Sequence, residues 1–306
     1  MRKVLITGIT GFLGADIASK LIAQNIQVIG LKRPESNTWR CKEIFNQIIW
    51  IDIDNEGKYK NELQNLSIDS IIHCAWIGVE ANERDNLSIQ SKNIFLLVDI
   101  LNIAKEVKIN KFIYLGSQAE YGNIDGIINE KSDTVSLNAY GSIKLACQEI
   151  VKSFCFSNNI TWVWLRIFSV FGEKENQTWL IPSLVKSIQE NKEMNFTLGE
   201  QKYAYLYIDD FSTIIYRIID SEIESGIYNI SSNITITIRS LIESIKNKID
   251  PDFKLNFGSI PYRENQSMHM EGDINKITTQ IGDIKFTNFQ TALDKTINYY
   301  LKNKNK

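Results

Sequence analysis

Tyr140 and Lys144 lie four residues apart in the segment NAYGSIKLACQEI, residues 138–150, whose apolar pattern otherwise predicts an ordinary amphipathic helix. At this spacing the two side chains project from the same face of a helix and can contact one ligand. A phenol with an ordinary pKa of about 10 carries protons poorly at neutral pH, and a neighbouring ammonium favours the phenolate and lowers that pKa. The pair could therefore transfer a proton, although the same spacing also occurs by chance on solvated helix surfaces.

Ser117 lies in the segment YLGSQAEYG, directly after a strand-like run. In a doubly wound sheet the carboxyl ends of the strands meet the crevice in which ligands bind. The Ser117 hydroxyl could orient a carbonyl or hydroxyl group there. A second polar group at this edge favours chemistry over a solvated surface as the interpretation of Tyr140 and Lys144.

Three glycines of the segment TGITGFLG, Gly8, Gly11 and Gly14, recur at three-residue intervals between the first strand and a helix. Glycine at such positions lets backbone amides approach a pyrophosphate, and the N-terminus of the helix adds favourable partial charge. A glycine triplet alone is a weak signal. Its place directly after a strand and inside a βαβ unit predicts a dinucleotide-binding loop over a plain glycine turn.

Two cations, Lys32 and Arg33, follow the second strand in GLKRPESN, where a cofactor with a free ribose 2′-hydroxyl usually meets an acidic residue. Both side chains suit a 2′-phosphate, so NADP(H) is predicted over NAD. The alternative is a solvated turn, because cations are common in loops. Asp52 and Ile53, after the third strand, are candidate contacts for the adenine edge, and Asp52 could equally cap a turn.

The elements that must position these residues alternate between short β-branched runs and helical stretches, which predicts an α/β fold with a Rossmann-type doubly wound parallel sheet. We expect residues 1–170 to form the NADP(H)-binding domain, with parts of 204–230 returning to it, and residues 171–306 to form a smaller C-terminal α/β lobe for the substrate. Within this pattern TWVWLRIFSVFG is predicted as one strand and residues 86–106 as one long helix.

The composition excludes several classes of function. The 306 residues are 43% hydrophobic and carry a formal net charge of -2, without a basic block that would indicate nucleic acid or a membrane surface as a partner. Glycines interrupt the first apolar stretch too early for a signal peptide, and no stretch approaches the roughly 18 uninterrupted apolar residues of a spanning helix, so we expect a cytoplasmic protein. Four cysteines without C-x-x-C spacing and two histidines predict no metal site.

The motifs in chain order resemble those of the extended short-chain dehydrogenase/reductase family, the NAD(P)-dependent nucleotide-sugar epimerases, dehydratases and reductases. The resemblance covers essentially the whole chain, through TGITGFLG, HCAW, Asn93, GSQAEYG, YGSIK, LRIFSVFG, YLYIDDF, GIYNISS and PYR followed by GDINK. It implies Ser117, Tyr140 and Lys144 as the catalytic set and a homodimer formed through the two helices that flank the sheet. It also implies cofactor contacts from the glycine loop and the strand ends, namely Gly8, Gly11, Phe12, Leu13, Gly14, Cys74, Ala75, Trp76, Ile167 and Phe168, beside Tyr140 and Lys144.

Departures from the family pattern narrow the reaction. The 4,6-dehydratases of the family carry an Asp-Glu pair directly after the serine, and this chain has Gln118 and Ala119, so water elimination lacks its proton carriers. The cysteine and histidine of the relatives that resemble GDP-fucose synthase are also missing. A nucleotide-sugar 4-epimerase with tightly bound NAD and a 4-ketoreductase remain, and the Lys32 and Arg33 pair favours the reductase. GSQAEYG also resembles the CDP-abequose and CDP-paratose type of 4-keto-6-deoxyhexose reductases, which implies deoxysugar synthesis for surface polysaccharide.

The expected substrate is a nucleotide-diphosphate sugar. Gln118 and Glu120 follow Ser117 closely enough to line a sugar pocket, although Glu120 could equally be structural. The resemblance implies that RIFS, residues 166–169, borders the nicotinamide, with Ser169 as a substrate contact. Arg263 resembles a late arginine that binds the substrate's phosphates. Many relatives carry a further arginine where this chain has Tyr203, which leaves recognition of the pyrophosphate open.

Overall fold

The computed structural model describes residues 2–54, 56–264 and 266–303. Its strands are β1 Lys3–Thr7, β2 Gln27–Lys32, β3 Ile48–Asp52, β4 Ser70–His73, β5 Lys111–Leu115, β6 Gly126–Ile128, β7 Thr161–Ile167, β8 Ser169–Phe171, β9 Asn195–Phe196, β10 Lys202–Tyr207, β11 Gly226–Ile230, β12 Thr235–Thr237, β13 Asn256–Phe257 and β14 His269–Gly272. Its α-helices are α1 Phe12–Ala23, α2 Lys58–Gln64, α3 Leu87–Gln90, α4 Lys92–Glu106, α5 Ala139–Ser157, α6 Leu180–Gln189, α7 Ile208–Asp220, α8 Ile238–Ile249, α9 Asn275–Ile281 and α10 Phe289–Lys302.

Seven strands form one parallel sheet in the order β11-β7-β5-β4-β1-β2-β3. Side chains on the two faces of its central strands are almost wholly buried, because helices cover both faces: α1 and α7 contribute to one apolar core, and α2, α4 and α5 to the other. Strands buried on both faces appear in sequence as continuous apolar runs without alternation. The predicted Rossmann-type doubly wound sheet is confirmed.

The predicted single strand TWVWLRIFSVFG is wrong, because it forms two strands in different sheets. β7 ends at Ile167 in the seven-stranded sheet, and β8 pairs with β10 in a second sheet whose other strands are β12, β14 and β6. The Phe168 side chain turns into a small buried cluster with Tyr121 and Ile128, which separates the two strands. β11 pairs with β7 in the first sheet, whereas β6 and β8 belong to the second sheet, so each sheet draws strands from both sides of residue 170. The division into two domains at residue 170 stays a prediction.

The predicted helix over 86–106 is interrupted at Ser91, which separates α3 from α4. Taken together, Leu87–Glu106 is long and apolar enough to meet the length and composition of a membrane span, with a mean hydropathy of 1.2. The buried face of α4, which includes Leu97, Ile100 and Leu101, packs in the same core as α5 and the sheet. This one-sided burial is typical of an amphipathic core helix.

Candidate active site

The glycine loop joins β1 to α1 at the carboxyl edge of the sheet. Gly8 has a φ of +65°, and a methyl group in place of its hydrogen would come within 2.6 Å of the Ala75 nitrogen. A methyl group on Gly14 would overlap the Gly8 carbonyl oxygen and come within 2.9 Å of the Ile9 Cα. Glycine is therefore needed at both positions, because backbone atoms of the loop and of the chain after β4 approach each other closely.

Helix α1 begins at Phe12, and Gly11 before it caps the helix without a side-chain hydrogen bond. Its first amides are therefore not bonded by a capping side chain, and the N-terminus of a helix attracts anions. Phe12 is buried against the edge of the Trp179 ring, at 5.9 Å between centroids, and Leu13 is half-buried, so both contribute their backbone to the loop. The loop residues fit the pyrophosphate of a dinucleotide.

The ends of β2 and β3 meet through an ion pair. Lys32 Nζ lies 2.5 Å from Asp52 Oδ1, and the Lys32 side chain is mostly covered whereas that of Asp52 is exposed. Arg33 is exposed, with its Nε 3.2 Å from Glu35 Oε1. The half-buried Ile53 follows, and its amide donates to the Lys32 carbonyl at 2.8 Å. Of the two predicted phosphate-binding cations, Arg33 extends into solvent and Lys32 is held by a carboxylate.

Ser117 begins a single 3-10 turn, Gln118–Glu120, just beyond β5. Its Oγ accepts a hydrogen bond from the Ala119 amide at 3.2 Å, and its own amide donates to Glu120 Oε1 at 2.7 Å. These two reciprocal bonds form a capping box. Because Oγ already accepts, its hydroxyl proton is the group it can offer to a neighbouring oxygen.

Helix α5 packs its first turn directly against this 3-10 turn. Asn138 caps the helix by accepting from the Gly141 amide at 2.9 Å. A methyl group on Gly141 would come within 2.5 Å of the Ala119 carbonyl oxygen and overlap the Ser136 hydroxyl. Gly141, between Tyr140 and Lys144, thus allows the close approach that brings the Ser117 turn and the helix together.

Lys144 is almost fully enclosed. Its Nζ donates to the Leu115 carbonyl at 2.7 Å and lies 3.7 Å from the centroid of the Trp76 ring and 5.0 Å from that of Tyr114. Burial lowers the pKa of Lys144 to about 8. An ammonium has three N–H donors, and the carbonyl takes one, so the group keeps donors for a ligand such as a ribose hydroxyl.

Tyr140 is half-buried beside Lys144, whose Nζ lies 5.7 Å from the phenol ring centroid. Trp76 meets the ring edge-on at 5.5 Å, and the Arg84 guanidinium carbon lies 5.0 Å from its centroid. The Tyr140 amide also donates to the Arg84 carbonyl at 2.8 Å. The sequence thus brings Tyr140, Lys144 and Ser117 together, with Trp76 as a wall of the site.

The expectation that Lys144 lowers the pKa of Tyr140 is wrong for the groups that the protein itself places around the phenol. Desolvation raises the pKa of Tyr140 above its ordinary value, opposed by a hydrogen bond with Ser117 and by the charge of Arg84. The protein therefore favours the neutral phenol. A neutral phenol is the form that can donate a proton.

The expectation that Glu120 lines the sugar pocket is also wrong, and its structural alternative holds. Glu120 is 0% exposed. Its carboxylate accepts from the Ser117 amide, from Trp164 Nε1 at 3.0 Å and from Arg166 Nε at 2.8 Å. With both oxygens bound inside the protein, the side chain is not available to a substrate.

The remaining predicted residues, apart from Arg263, lie at or just beyond the carboxyl ends of β4, β5 and β7. The amides of Cys74 and Ala75 donate to the carbonyl and hydroxyl of Thr7, at 3.2 and 3.3 Å, which ties this segment to β1. Ile167 and Phe168 have buried side chains, so only their backbone can face a cofactor. Among the predicted substrate contacts, Gln118 and Ser169 are partly exposed and Arg263 is exposed.

Arg263 lies near Tyr203, since its charge lowers a Tyr203 pKa that burial otherwise raises. Tyr203 donates to the Ser267 carbonyl at 3.1 Å. The described part of the chain holds no group of three His, Cys, Asp or Glu residues placed to bind a metal ion.

Two arginines of the site are not predicted by the sequence analysis. Arg166 on β7 is 2% exposed and forms the buried ion pair with Glu120, and Arg84 lies against the Tyr140 ring. An arginine inside the apolar run TWVWLRIF was a usable signal, because a buried guanidinium requires a carboxylate partner. Nothing in the sequence pointed to Arg84, which lies in an irregular loop.

Comparison with known proteins identifies the family of the chain and agrees with its fold. The model of the family described as "NAD dependent epimerase/dehydratase family" matches residues 4–231. CDP-abequose synthase from Salmonella muenchen is 26% identical over 286 residues, which cover 90% of this chain and 91% of that protein. CDP-abequose synthase from Yersinia pseudotuberculosis is 22% identical, with 97% of each chain covered.

Solved structures share the fold over the full length. UDP-glucose 4-epimerase from Thermotoga maritima, solved with UDP-glucose, has a TM-score of 0.87 at 18% identity, covering 99% of this chain and 100% of that one. UDP-glucuronic acid 4-epimerase from Bacillus cereus, solved with NAD, has a TM-score of 0.84 at 22% identity, covering 98% and 99%.

Proposed function

Because the chain belongs to the NAD dependent epimerase/dehydratase family, we propose that it reduces the C4 keto group of a nucleotide-linked 4-keto-6-deoxyhexose with NADPH. One observation carries the proposal: Ser117, Tyr140 and Lys144 converge, and Lys144 lies against Trp76, next in the chain to the segment that contacts the glycine loop. Gln118 and Ala119 stand where elimination would need ionisable groups. Two curated relatives of similar length carry the name CDP-abequose synthase, which supports a product of this chemical class.

The glycine loop would hold the pyrophosphate of NADPH, and Lys144 the hydroxyls of its nicotinamide ribose. When bound, NADPH supplies the hydride. Tyr140 donates its proton to the C4 oxygen as negative charge develops there, and the Ser117 hydroxyl donates a hydrogen bond to the same oxygen. The raised pKa of Tyr140 keeps the phenol protonated before the reaction, so that it can donate its proton when the C4 oxygen becomes basic.

The proposal is tested by incubating the protein with NADPH and a panel of nucleotide-linked 4-ketosugars while the absorbance of the reduced nicotinamide is followed. We expect oxidation of NADPH with one or more 4-keto-6-deoxyhexoses. No oxidation with any of them, together with interconversion of UDP-hexoses, would replace the reductase with an epimerase.

The epimerase is a second candidate because Asp52 already binds Lys32, one of the two cations predicted for a 2′-phosphate. An enzyme that retains NAD does not need that phosphate site. Solved 4-epimerases of UDP-sugars, one of them with NAD, share the fold. Net oxidation distinguishes the two reactions, since an epimerase returns the hydride to its substrate.

The choice of NADPH over NADH is expected to rest on Arg33. Replacing it with alanine should weaken NADPH binding by about tenfold, since a charge-assisted hydrogen bond to phosphate is worth roughly 1.5–3 kcal/mol and Arg33 is exposed. NADH binding should stay unchanged. Titration by nicotinamide fluorescence measures both, with Arg2→Ala, another exposed arginine in an ion pair, as the matched control. Equal losses for both cofactors would contradict the assignment.

We also propose a homodimer formed through α4 and α5. Phe95 on α4 is 73% exposed, Phe156 on α5 is 84% exposed, and Val98 and Leu87 add to the apolar surface. Large exposed apolar side chains on neighbouring helices are typical of an interface.

Replacing Phe95 with glutamate is expected to convert the dimer to a monomer, because burying the unpaired charge would cost more than the contact contributes. Light scattering coupled to gel filtration measures the mass. Leu198→Glu, at an exposed apolar residue outside α4 and α5, is the control and should leave the dimer intact. A Phe95→Glu protein that is still dimeric would place the interface elsewhere.

A further inference from the structure

Glu120 is a buried carboxylate beside the site, and both of its oxygens accept hydrogen bonds from the protein. Oε1 accepts from the Ser117 amide at 2.7 Å and from Trp164 Nε1 at 3.0 Å, and Oε2 accepts from Trp164 Nε1 at 3.0 Å and from Arg166 Nε at 2.8 Å. All of these partners are donors, which matches the ionised carboxylate. Burial raises the pKa of Glu120, and the Arg166 charge opposes that effect.

The surrounding chain is built to admit this carboxylate. A methyl group on Gly116 would overlap Trp164 Nε1 and come within 2.6 Å of Glu120 Oε1, so only glycine fits before Ser117. Trp164 and Arg166 are two residues apart on β7 and therefore point to the same face of the sheet. Both direct their N–H groups at Glu120.

The ion pair between Glu120 and Arg166 connects the turn that holds Ser117, helix α5 that holds Lys144, and strand β5, whose Tyr114 contacts Lys144. Through the Ser117 amide it fixes the turn after β5. Through Arg166 it reaches α5, because the guanidinium donates to Gln148 Oε1 at 3.0 Å, one helical turn after Lys144. Trp164 in turn stacks on Tyr114 at 4.2 Å, and Tyr114 faces the Lys144 ammonium.

Glu120 also acts on Lys144 through its negative charge. The Glu120 carboxylate raises the pKa of Lys144 against the burial that lowers it to about 8. The other titratable groups that face Lys144 come from α5, β5 and the end of β4, and they are Tyr140, Cys147, Tyr114, His73 and Cys74. Burial holds the two cysteine thiols and His73 in their neutral forms.

We propose that Glu120 is a positioning residue that orients Ser117 through its backbone amide and supplies the fixed negative charge that favours the Lys144 ammonium. It contacts neither substrate nor cofactor, and the proposal rests on the proposed use of Ser117 and Lys144. A purely structural role would affect stability alone. A positioning role also changes turnover in the folded enzyme and the pH at which activity is lost.

Glu120→Gln removes the charge and keeps an oxygen for the Ser117 amide. Activity needs the ammonium, so it falls as pH rises through the Lys144 pKa. Without the carboxylate that pKa is lower, and the alkaline limb of the kcat profile should move to lower pH. Glu175→Gln is the control, because it makes the same substitution at a buried glutamate that accepts from the Gly172 amide and is not among the groups that shift the Lys144 pKa. Its profile should superimpose on that of wild type.

Removing one partner of a buried ion pair can unfold a protein, so a second variant removes both. Glu120→Met combined with Arg166→Met replaces the pair with apolar side chains of similar length, which proteins often tolerate. In this double variant the Ser117 amide loses the carboxylate that accepts its hydrogen bond. We therefore expect kcat to fall about 10²-fold, the cost of misplacing a catalytic group by roughly 1 Å. KM and the dissociation constant of NADPH should stay close to wild type, and a melting curve shows that the protein is folded.

The variants are measured on whichever substrate the wild-type enzyme converts, ketosugar or UDP-hexose. Failure of the wild type to oxidise NADPH therefore counts against the proposed reductase and leaves the test of Glu120 in place. A folded double variant with wild-type kcat, or an unshifted alkaline limb in Glu120→Gln, would overturn the proposal.

Discussion

Replacing Tyr140 with phenylalanine is expected to lower kcat by about 10²- to 10⁴-fold, the usual contribution of a positioned general acid. The change removes a single oxygen and keeps the ring that packs against Trp76 and Arg84. Neither the glycine loop nor Lys144 depends on the phenol oxygen, so NADPH should bind as it does to wild type. Steady-state kinetics and a fluorescence titration of NADPH measure the two effects separately.

The matched control is Tyr216→Phe, on α7, which removes the same atom far along the chain from the site and should leave kcat unchanged. Turnover in Tyr140→Phe that stays within a few-fold of wild type would reject Tyr140 as the proton donor. Loss of NADPH binding together with turnover would instead indicate a structural role.

Replacing Gly14 with alanine is expected to abolish measurable NADPH binding and to destabilise the fold. The added methyl group overlaps the Gly8 carbonyl and approaches the Ile9 Cα, and both are backbone atoms that cannot rotate away. Overpacking of this kind costs about 1–3 kcal/mol or more, and α1 must move off the loop that would hold the pyrophosphate. Alanine is otherwise favoured over glycine in a helix by about 1 kcal/mol, so helix propensity alone predicts the opposite sign.

Gly226→Ala provides the comparison, because the nearest neighbour of its added methyl group is the flexible end of Lys276 at 3.3 Å. That variant should bind NADPH normally. A Gly14→Ala protein with wild-type affinity and melting temperature would mean that the loop does not hold the cofactor as the geometry implies.

The sheet could be predicted from the sequence because each buried strand is a continuous apolar run followed by a helical pattern. The break between β7 and β8 could not, since TWVWLRIFSVFG is mostly apolar on both sides of the break and contains no proline or glycine where the chain leaves one sheet for the other. Only the packing of Phe168 against Tyr121 and Ile128 decides it, and that contact joins residues distant in sequence.

For the site, motif and spacing brought Ser117, Tyr140 and Lys144 together correctly, because strand ends and helix periodicity fix where they point. Electrostatics were harder to predict. The direction of the Tyr140 pKa depends on desolvation, and the role of Glu120 depends on Arg166, a partner on another strand. Neither burial nor partner choice can be read from one segment of sequence.

The most direct test of the central claim uses NADPH with deuterium at the transferred position of the nicotinamide and the 4-keto-6-deoxyhexose nucleotide on which the enzyme is active. Mass spectrometry and NMR of the product should find one deuterium at C4 for each NADPH oxidised, and none with Tyr140→Phe over the same time. A product without deuterium at C4, or UDP-hexoses interconverted with no NADPH consumed, would contradict hydride transfer from NADPH to a C4 ketone.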